Sequence, residues 1–341
     1  MLKKYDIIFC TSVGQIPFAL HYIDQNTKVV TVINAVTKFL TKYYNVEKKN
    51  IIELDLNNIC DYALKNIFKN LYIKLNKNYI FNKYFCDCAG LNILYFSHYY
   101  PGLLYLIEKL SKRNKISFYD VRNYVFNYQK KSFVDRYKSC LVKFNYGIKI
   151  TYITYQKTSY GKISEDYLNK NNITIISEII TDKTLSIKFL DNYDIKNIKV
   201  LLLPVKSKNI FCTKGALKLW KDILHFLSKK YKAEDIIVKF HPNDSYQLSS
   251  NIFDNLNHIS SEIPAELLIN HNYDYIIMAH SNSLHYIFNN KNRNTNVICI
   301  MKLFEYFNKS EKSVIFKSFK SLEAKIKFPD CLSSLKAEIL H

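Results

Sequence analysis

The sequence predicts an α/β protein built from two parallel-sheet halves. Three observations lead there. Short apolar runs rich in Val, Ile, Phe and Tyr alternate with longer amphipathic stretches, and such alternation lays helices on the faces of a parallel sheet. The alternation comes in two sets, separated by a mixed region at roughly 150–196. The chain has 341 residues, more than one ordinary hydrophobic core sustains.

The first set opens with YDIIFCTS (5–12) as a strand and GQIPFALHYI (14–23) as a helix. KVVTVIN (28–34) is the next strand and AVTKFLTKYY (35–44) the next helix. NIIELDL (50–56), an amphipathic segment from Asn57 to Leu75, and LNILYFS (91–97) follow. PGLLYLIEKLSKRN (101–114) reads as a helix because proline is tolerated in a first turn, and KISFYD (115–120) reads as a strand. The second set begins with VLLLPV (200–205) as a strand. TKGALKLWKDILHFLSKKY (213–231) has apolar residues at helical spacing, and EDIIVKFHP (234–242) is a strand stopped by a proline. IPAELLINHN (263–272) is a short helix, YDYIIMAHS (273–281) a strand, SLHYIFNN (283–290) a helix and TNVICIM (295–301) the last strand. Two Rossmann-like domains are expected, with a ligand cleft between them. Their bounds are 1–190 and 196–320, followed by a helical tail at 321–341 for which a return to the first domain is left open.

Composition narrows the function classes. Apolar residues make up 48% of the chain, which excludes a disordered tail. No apolar run reaches membrane-spanning length. The apolar stretch after MLKKY contains Asp6, so it reads as a core strand rather than a signal peptide. Eight scattered cysteines, with only Cys86 and Cys88 close together, argue against a zinc site and for a reducing cytoplasm. The net charge of +20 points to an anionic partner. The lysines are dispersed among Asn, Ile and Tyr, however, and a compositional bias toward A+T codons would produce the same excess. Six glycines, and neither G-x-G-x-x-G nor G-x-x-x-x-G-K-[ST], leave no glycine-rich phosphate loop.

Three strand ends carry polar groups. Asp120 ends KISFYD, His241 and Pro242 end IIVKFHP, and His280, Ser281, Asn282 and Ser283 lie between a strand and a helix. Serine at a helix start caps the helix. The same N–H groups and hydroxyls also form an anion site. Lys239 is read as a surface lysine, with a charge beside a phosphate as the alternative.

Taken together, these segments resemble the bacterial sialyltransferases and polysialyltransferases of capsule and lipooligosaccharide synthesis. VKFHP is similar to that family's HP motif, which usually sits in K-P-H-P. HSNSL resembles its serine motif, and IPAE resembles the segment that places a ribose-binding glutamate, here Glu266. NILYFSHYYPGLLYLIEKLSKRNKISFYD resembles the strand, helix and strand before the family's acidic motif, and FCTSVGQIPFAL resembles its first strand and helix. The likeness spans most of the chain. It departs from the family pattern at three points. The acidic motif reads Y-D-V with one carboxylate, Phe240 stands for proline, and Asn282 interrupts the serine pair.

The resemblance implies a GT-B architecture, two Rossmann-like domains whose parallel sheets face each other across a cleft. It implies inverting transfer of sialic acid from CMP-sialic acid to a hydroxyl of a cell-surface glycan, whether lipooligosaccharide, O-antigen or capsule. Asp120 would be the general base, and His241 would meet the leaving phosphate. Pro242, Ser281, Ser283 and Glu266 would hold CMP. No metal or cofactor is implied, because the leaving nucleotide is a monophosphate. The expected partners are a nucleotide sugar and a glycan acceptor that can be lipid-linked, with peripheral contact to the inner face of an anionic membrane and a homodimer as in some relatives. No nucleic acid is expected. The alternatives are a capsule-type transferase using another nucleotide-activated donor, or a non-enzymatic basic protein that binds RNA or membrane.

Overall fold

The computed structural model describes residues 4–55, 78–96, 101–119, 140, 143, 151–155, 158–162, 168–169, 171–176, 197–204, 213–240, 252–269, 271–279, 295–304 and 326–340. The chain divides into two compact units, Met1–Thr181 and Asp182–His341.

The strands of the first unit are β1 (Ile7–Phe9), β2 (Lys28–Thr31), β3 (Ile51–Glu53), β4 (Asn92–Phe96), β5 (Lys115–Tyr119), β6 (Thr151–Tyr155), β7 (Thr158–Lys162) and β8 (Ile173–Ile175). Six of them form one sheet in the order β3-β2-β1-β4-β5-β8, and every pairing in it is parallel. β6 and β7 make a separate antiparallel hairpin. That hairpin and β8 resolve the mixed region that the sequence left without elements. β8 escapes sequence pattern because only Ile173 of ITI is buried.

Helices α1 (Ile16–Leu20), α2 (Asn34–Tyr43), α3 (Tyr79–Phe85) and α4 (Pro101–Ser111) accompany this sheet. α2 buries Val36, Phe39 and Leu40 at i, i+3 and i+4, the face a surface helix turns to its core. α4 buries Leu103 to Ile107 and Leu110. The core is aromatic. Phe9 stacks on Phe85 with centroids 6.0 Å apart and meets Tyr95 edge-on, also at 6.0 Å. The amphipathic segment predicted from Asn57 to Leu75 lies outside the described residues.

The second unit has five strands: β9 (Val200–Leu203), β10 (Ile236–Lys239), β11 (Asn257–Ile259), β12 (Tyr275–Met278) and β13 (Asn296–Cys299). Their order is β11-β10-β9-β12-β13, again parallel throughout. A two-domain α/β fold with one parallel sheet in each half is therefore observed. β11 has no counterpart in the sequence reading, because a single residue of NHI is buried. Helix α5 (Thr213–Leu227) lays Ala216, Leu219, Trp220, Ile223 and Leu227 on this sheet's core. Trp220 meets Phe253 edge-on at 5.8 Å. A short helix, α6 (Ala265–Leu268), follows β11. Among the described residues no helix is long and apolar enough to cross a membrane.

The last helix, α7 (Leu332–Leu340), belongs to the second unit. The sequence left open its return to the first domain. Instead, Leu335 and Ile339 are fully buried in the Trp220 core. Helix ends leave carbonyls without intrahelical donors, and here two residues of the second unit supply donors. The Tyr275 hydroxyl donates to the Glu338 carbonyl at 3.1 Å, and Lys230 Nζ donates to the Ile339 carbonyl at 3.3 Å. Lys327 pairs with the Glu338 carboxylate, and its backbone bridges to Ile298 on β13. Leu335→Ala should therefore destabilise the second unit by about 2–5 kcal/mol, the usual cost of emptying a leucine site in a core. Urea unfolding followed by Trp220 fluorescence measures it.

Candidate functional site

In both sheets the strand order reverses once, between β1 and β4 in the first and between β9 and β12 in the second. Ligands of doubly wound folds bind beyond the carboxyl ends of the strands at that reversal. The sequence-predicted segments follow strands of these two sheets. Asp120 follows β5, His241 and Pro242 come just after β10, Glu266 lies in α6 after β11, and Ser281 and Ser283 follow β12. Asp120, His241, Pro242, Ser281 and Ser283 themselves lie outside the described residues. Glu266 lies within them.

β10 pairs with β9 on one side and β11 on the other, and all four of its residues are buried. Its last residue is Lys239, only 3% exposed. The surface position read from the sequence is therefore corrected. A strand covered on both faces buries whatever side chain its last position carries. The context of three preceding apolar residues was the available signal. Lys239 Nζ donates to the Phe240 carbonyl at 2.8 Å and to the Ser261 carbonyl at 3.3 Å. Burial pushes this ammonium down to about 8, a drop that the negative charge of Glu266 partly offsets.

Glu266 reaches this position through a short, tightly folded connection. After β11 the chain turns with the Ile263 N–H donating to the Ser260 carbonyl at 3.1 Å. Ile263 is fully buried, and Pro264 sits at the N-cap of α6 with φ −60°, the angle its ring imposes. Leu267 and Leu268 anchor α6 in the core. Glu266, in its first turn, is left half-exposed beside Lys239. Phe240, which stands where the resemblance leads one to expect proline, is held from two sides. It meets Phe253 edge-on at 5.7 Å and stacks on His258 at 5.8 Å. The His258 ring is fixed in turn by a 2.9 Å hydrogen bond between Nε2 and the Phe253 carbonyl.

The carboxyl end of β1 is built differently. The buried Gln15 folds back so that its Oε1 accepts from the N–H of Thr11 at 2.6 Å, the N–H of Ser12 at 3.2 Å and the Thr11 hydroxyl at 3.3 Å. These N–H groups occupy the turn where dinucleotide folds cradle phosphate, and here an internal amide already engages them. An open groove of about 680 Å³ lined by Lys199, Glu234, Asp235 and Asn257 lies toward the amino ends of β9, β10 and β11. That is the opposite edge from the one these folds use for ligands.

No family model matches the chain, and no curated protein does. Among solved structures, the α/β-galactoside α-2,3-sialyltransferase of Photobacterium phosphoreum aligns at 11% identity and TM-score 0.46, over 98% of this chain and 100% of that one. The UDP-GlcNAc 2-epimerase of Methanocaldococcus jannaschii aligns at 11% identity and TM-score 0.47, over 99% and 92%. A calicheamicin glycosyltransferase aligns at 8% identity and TM-score 0.44, over 99% and 89%.

The burial of Lys239 has a thermodynamic signature. Its folded-state value is about 8, whereas an unfolded lysine titrates near ~10.4. Between these limits the unfolded chain binds more protons, so this residue makes stability rise with pH. The stability of the wild type relative to Lys239→Met should therefore improve from about pH 8 to about pH 10.4 and be constant below that window. Chemical denaturation of both proteins across the range measures the difference.

Proposed function

We propose that the chain is a nucleotide-sugar-dependent glycosyltransferase that moves sialic acid from CMP-sialic acid to a hydroxyl of a cell-surface glycan. The observation that carries this reading is the carboxyl edge of the second sheet. There a buried ammonium, a half-exposed carboxylate on a short helix and the strand leading into His241 and Pro242 converge beside a reversal of strand order. The turn after β1 supports assigning the nucleotide to the second unit, because Gln15 engages its N–H groups. The first unit is then the acceptor side.

In this reading the acceptor hydroxyl attacks the anomeric carbon of the sialic acid as the bond to the CMP phosphate oxygen breaks, with inversion. Asp120 takes the proton from the attacking hydroxyl. His241 donates a proton or hydrogen bond to the departing phosphate, and Ser281 and Ser283 hold its oxygens. Glu266 accepts hydrogen bonds from the ribose hydroxyls, and Pro242 contributes to the CMP site beside His241. No metal takes part in this scheme. The net charge of +20 suits an anionic donor, an anionic product and peripheral contact with the inner membrane face where lipid-linked glycans are built.

Thermal unfolding with CMP, UMP, UDP, GDP and CDP at matched ionic strength tests the donor. CMP alone should stabilise, by about 2.7 kcal/mol at a hundred times its Kd, and Glu266→Ala should abolish the shift. Stabilisation by UDP or GDP without CMP would replace the donor. RNA binding with a steep salt dependence, and no nucleotide response, would remove the enzyme reading. With transfer established, His241→Ala should lower the rate by roughly 100- to 10,000-fold with an unchanged unfolding midpoint. A wild-type rate in that variant would reject the role given to His241.

A further inference from the structure

Lys239 is a charged residue that the proposed chemistry does not use. Its location is costly, because removing an ammonium from water is offset only by good partners. Those partners are two main-chain carbonyls from different segments, Phe240 at the end of β10 and Ser261 in the turn after β11. Charged Nζ donors make stronger hydrogen bonds than neutral ones. The same ammonium feels the charge of Glu266, five residues beyond Ser261. A methionine at this strand end would fill a similar volume without the desolvation cost, so packing alone does not call for a lysine.

We propose that Lys239 is a positioning residue of the nucleotide site: its ammonium ties the exit of β10 to the turn that carries α6, and so holds Glu266 where it meets the nucleotide. The clamp has three points. Phe240 fixes one, since its own ring is wedged between Phe253 and His258. Ser261 fixes the second, two residues before the buried Ile263. The third is electrostatic and acts on Glu266. The charged or titratable side chains around this clamp are Glu266 on α6, Glu262 next to Ser261, and His258 on β11 behind Phe240. Deprotonated Lys239 loses the charge that acts on Glu266 and weakens both carbonyl contacts. The clamp then slackens and the ribose contact with it.

This inference rests on the nucleotide reading above, and one experiment separates the two. CMP affinity is measured by calorimetry from about pH 7 to about pH 9.5, where the phosphate stays dianionic, on wild type, Lys239→Arg and Lys239→Met. Wild-type affinity should fall as pH passes through about 8. Lys239→Arg should bind within about threefold of wild type at neutral pH and show no alkaline fall, because guanidinium keeps its proton. Lys239→Met should bind at least about tenfold more weakly at neutral pH, the scale of one lost charged contact. A wild-type affinity that is flat with pH, or a Met variant that binds as well as wild type, overturns the clamp and leaves the nucleotide reading intact. If wild type binds none of the nucleotides, that reading fails and the clamp falls with it. Should the Met variant not fold, the wild-type pH profile and the Arg variant decide the matter.

Discussion

Parallel strands packed into a core keep their charged side chains at their ends. Much of this molecule follows from that constraint. β1, β9, β10 and β12 are buried along their whole described lengths. In such strands every interior position is apolar, and the main-chain polar groups are satisfied by the neighbouring strands. Chemistry is therefore pushed to the edges of the sheet. The parallel arrangement gathers the carboxyl ends of each sheet along one edge, and the strand order of each sheet reverses once, the place where doubly wound folds bind ligands.

Lys239 is the exception that the constraint makes informative. It is the last residue of a buried strand, and its neighbours supply carbonyl oxygens rather than solvent. An ammonium held this way destabilises the fold below its titration range, and its hydrogen bonds link the end of β10 to the turn after β11. Gln15 shows the complementary case in the other unit. There a neutral amide satisfies the N–H groups of a turn at the sheet edge, which closes that turn as a phosphate cradle without burying a charge. The two units share a winding pattern and differ in what stands at the strand ends.

Most of the fold was legible in the sequence because its elements are long or strongly patterned. α5 shows apolar residues at helical spacing across four turns, and IIV, VLLL and YIIM are unbroken apolar runs. β8 and β11 were not legible. Each is a three-residue edge strand with a single buried side chain, so nothing in its pattern exceeds that of a loop. The last helix was visible as a helix, but its docking partner was not. Leu335 and Ile339 are apolar wherever they pack, and only the Trp220 core selects the second unit. In the candidate site, Glu266 was found from a short motif and falls within the described residues. Asp120, His241, Pro242, Ser281 and Ser283 stand on sequence pattern and on the ends of the strands that precede them.

The sequence by itself determined the two α/β halves and the parallel direction of their sheet strands. Those properties follow from periodicity and from the need to bury apolar faces, both local along the chain. Only the tertiary structure decided that Lys239 is buried, that its ammonium bridges Phe240 and Ser261, that Gln15 seals the turn after β1 and that α7 joins the second unit. Burial and hydrogen-bond partners depend on segments distant in sequence, and a lysine carries the same letter whether water or a carbonyl stands at its tip.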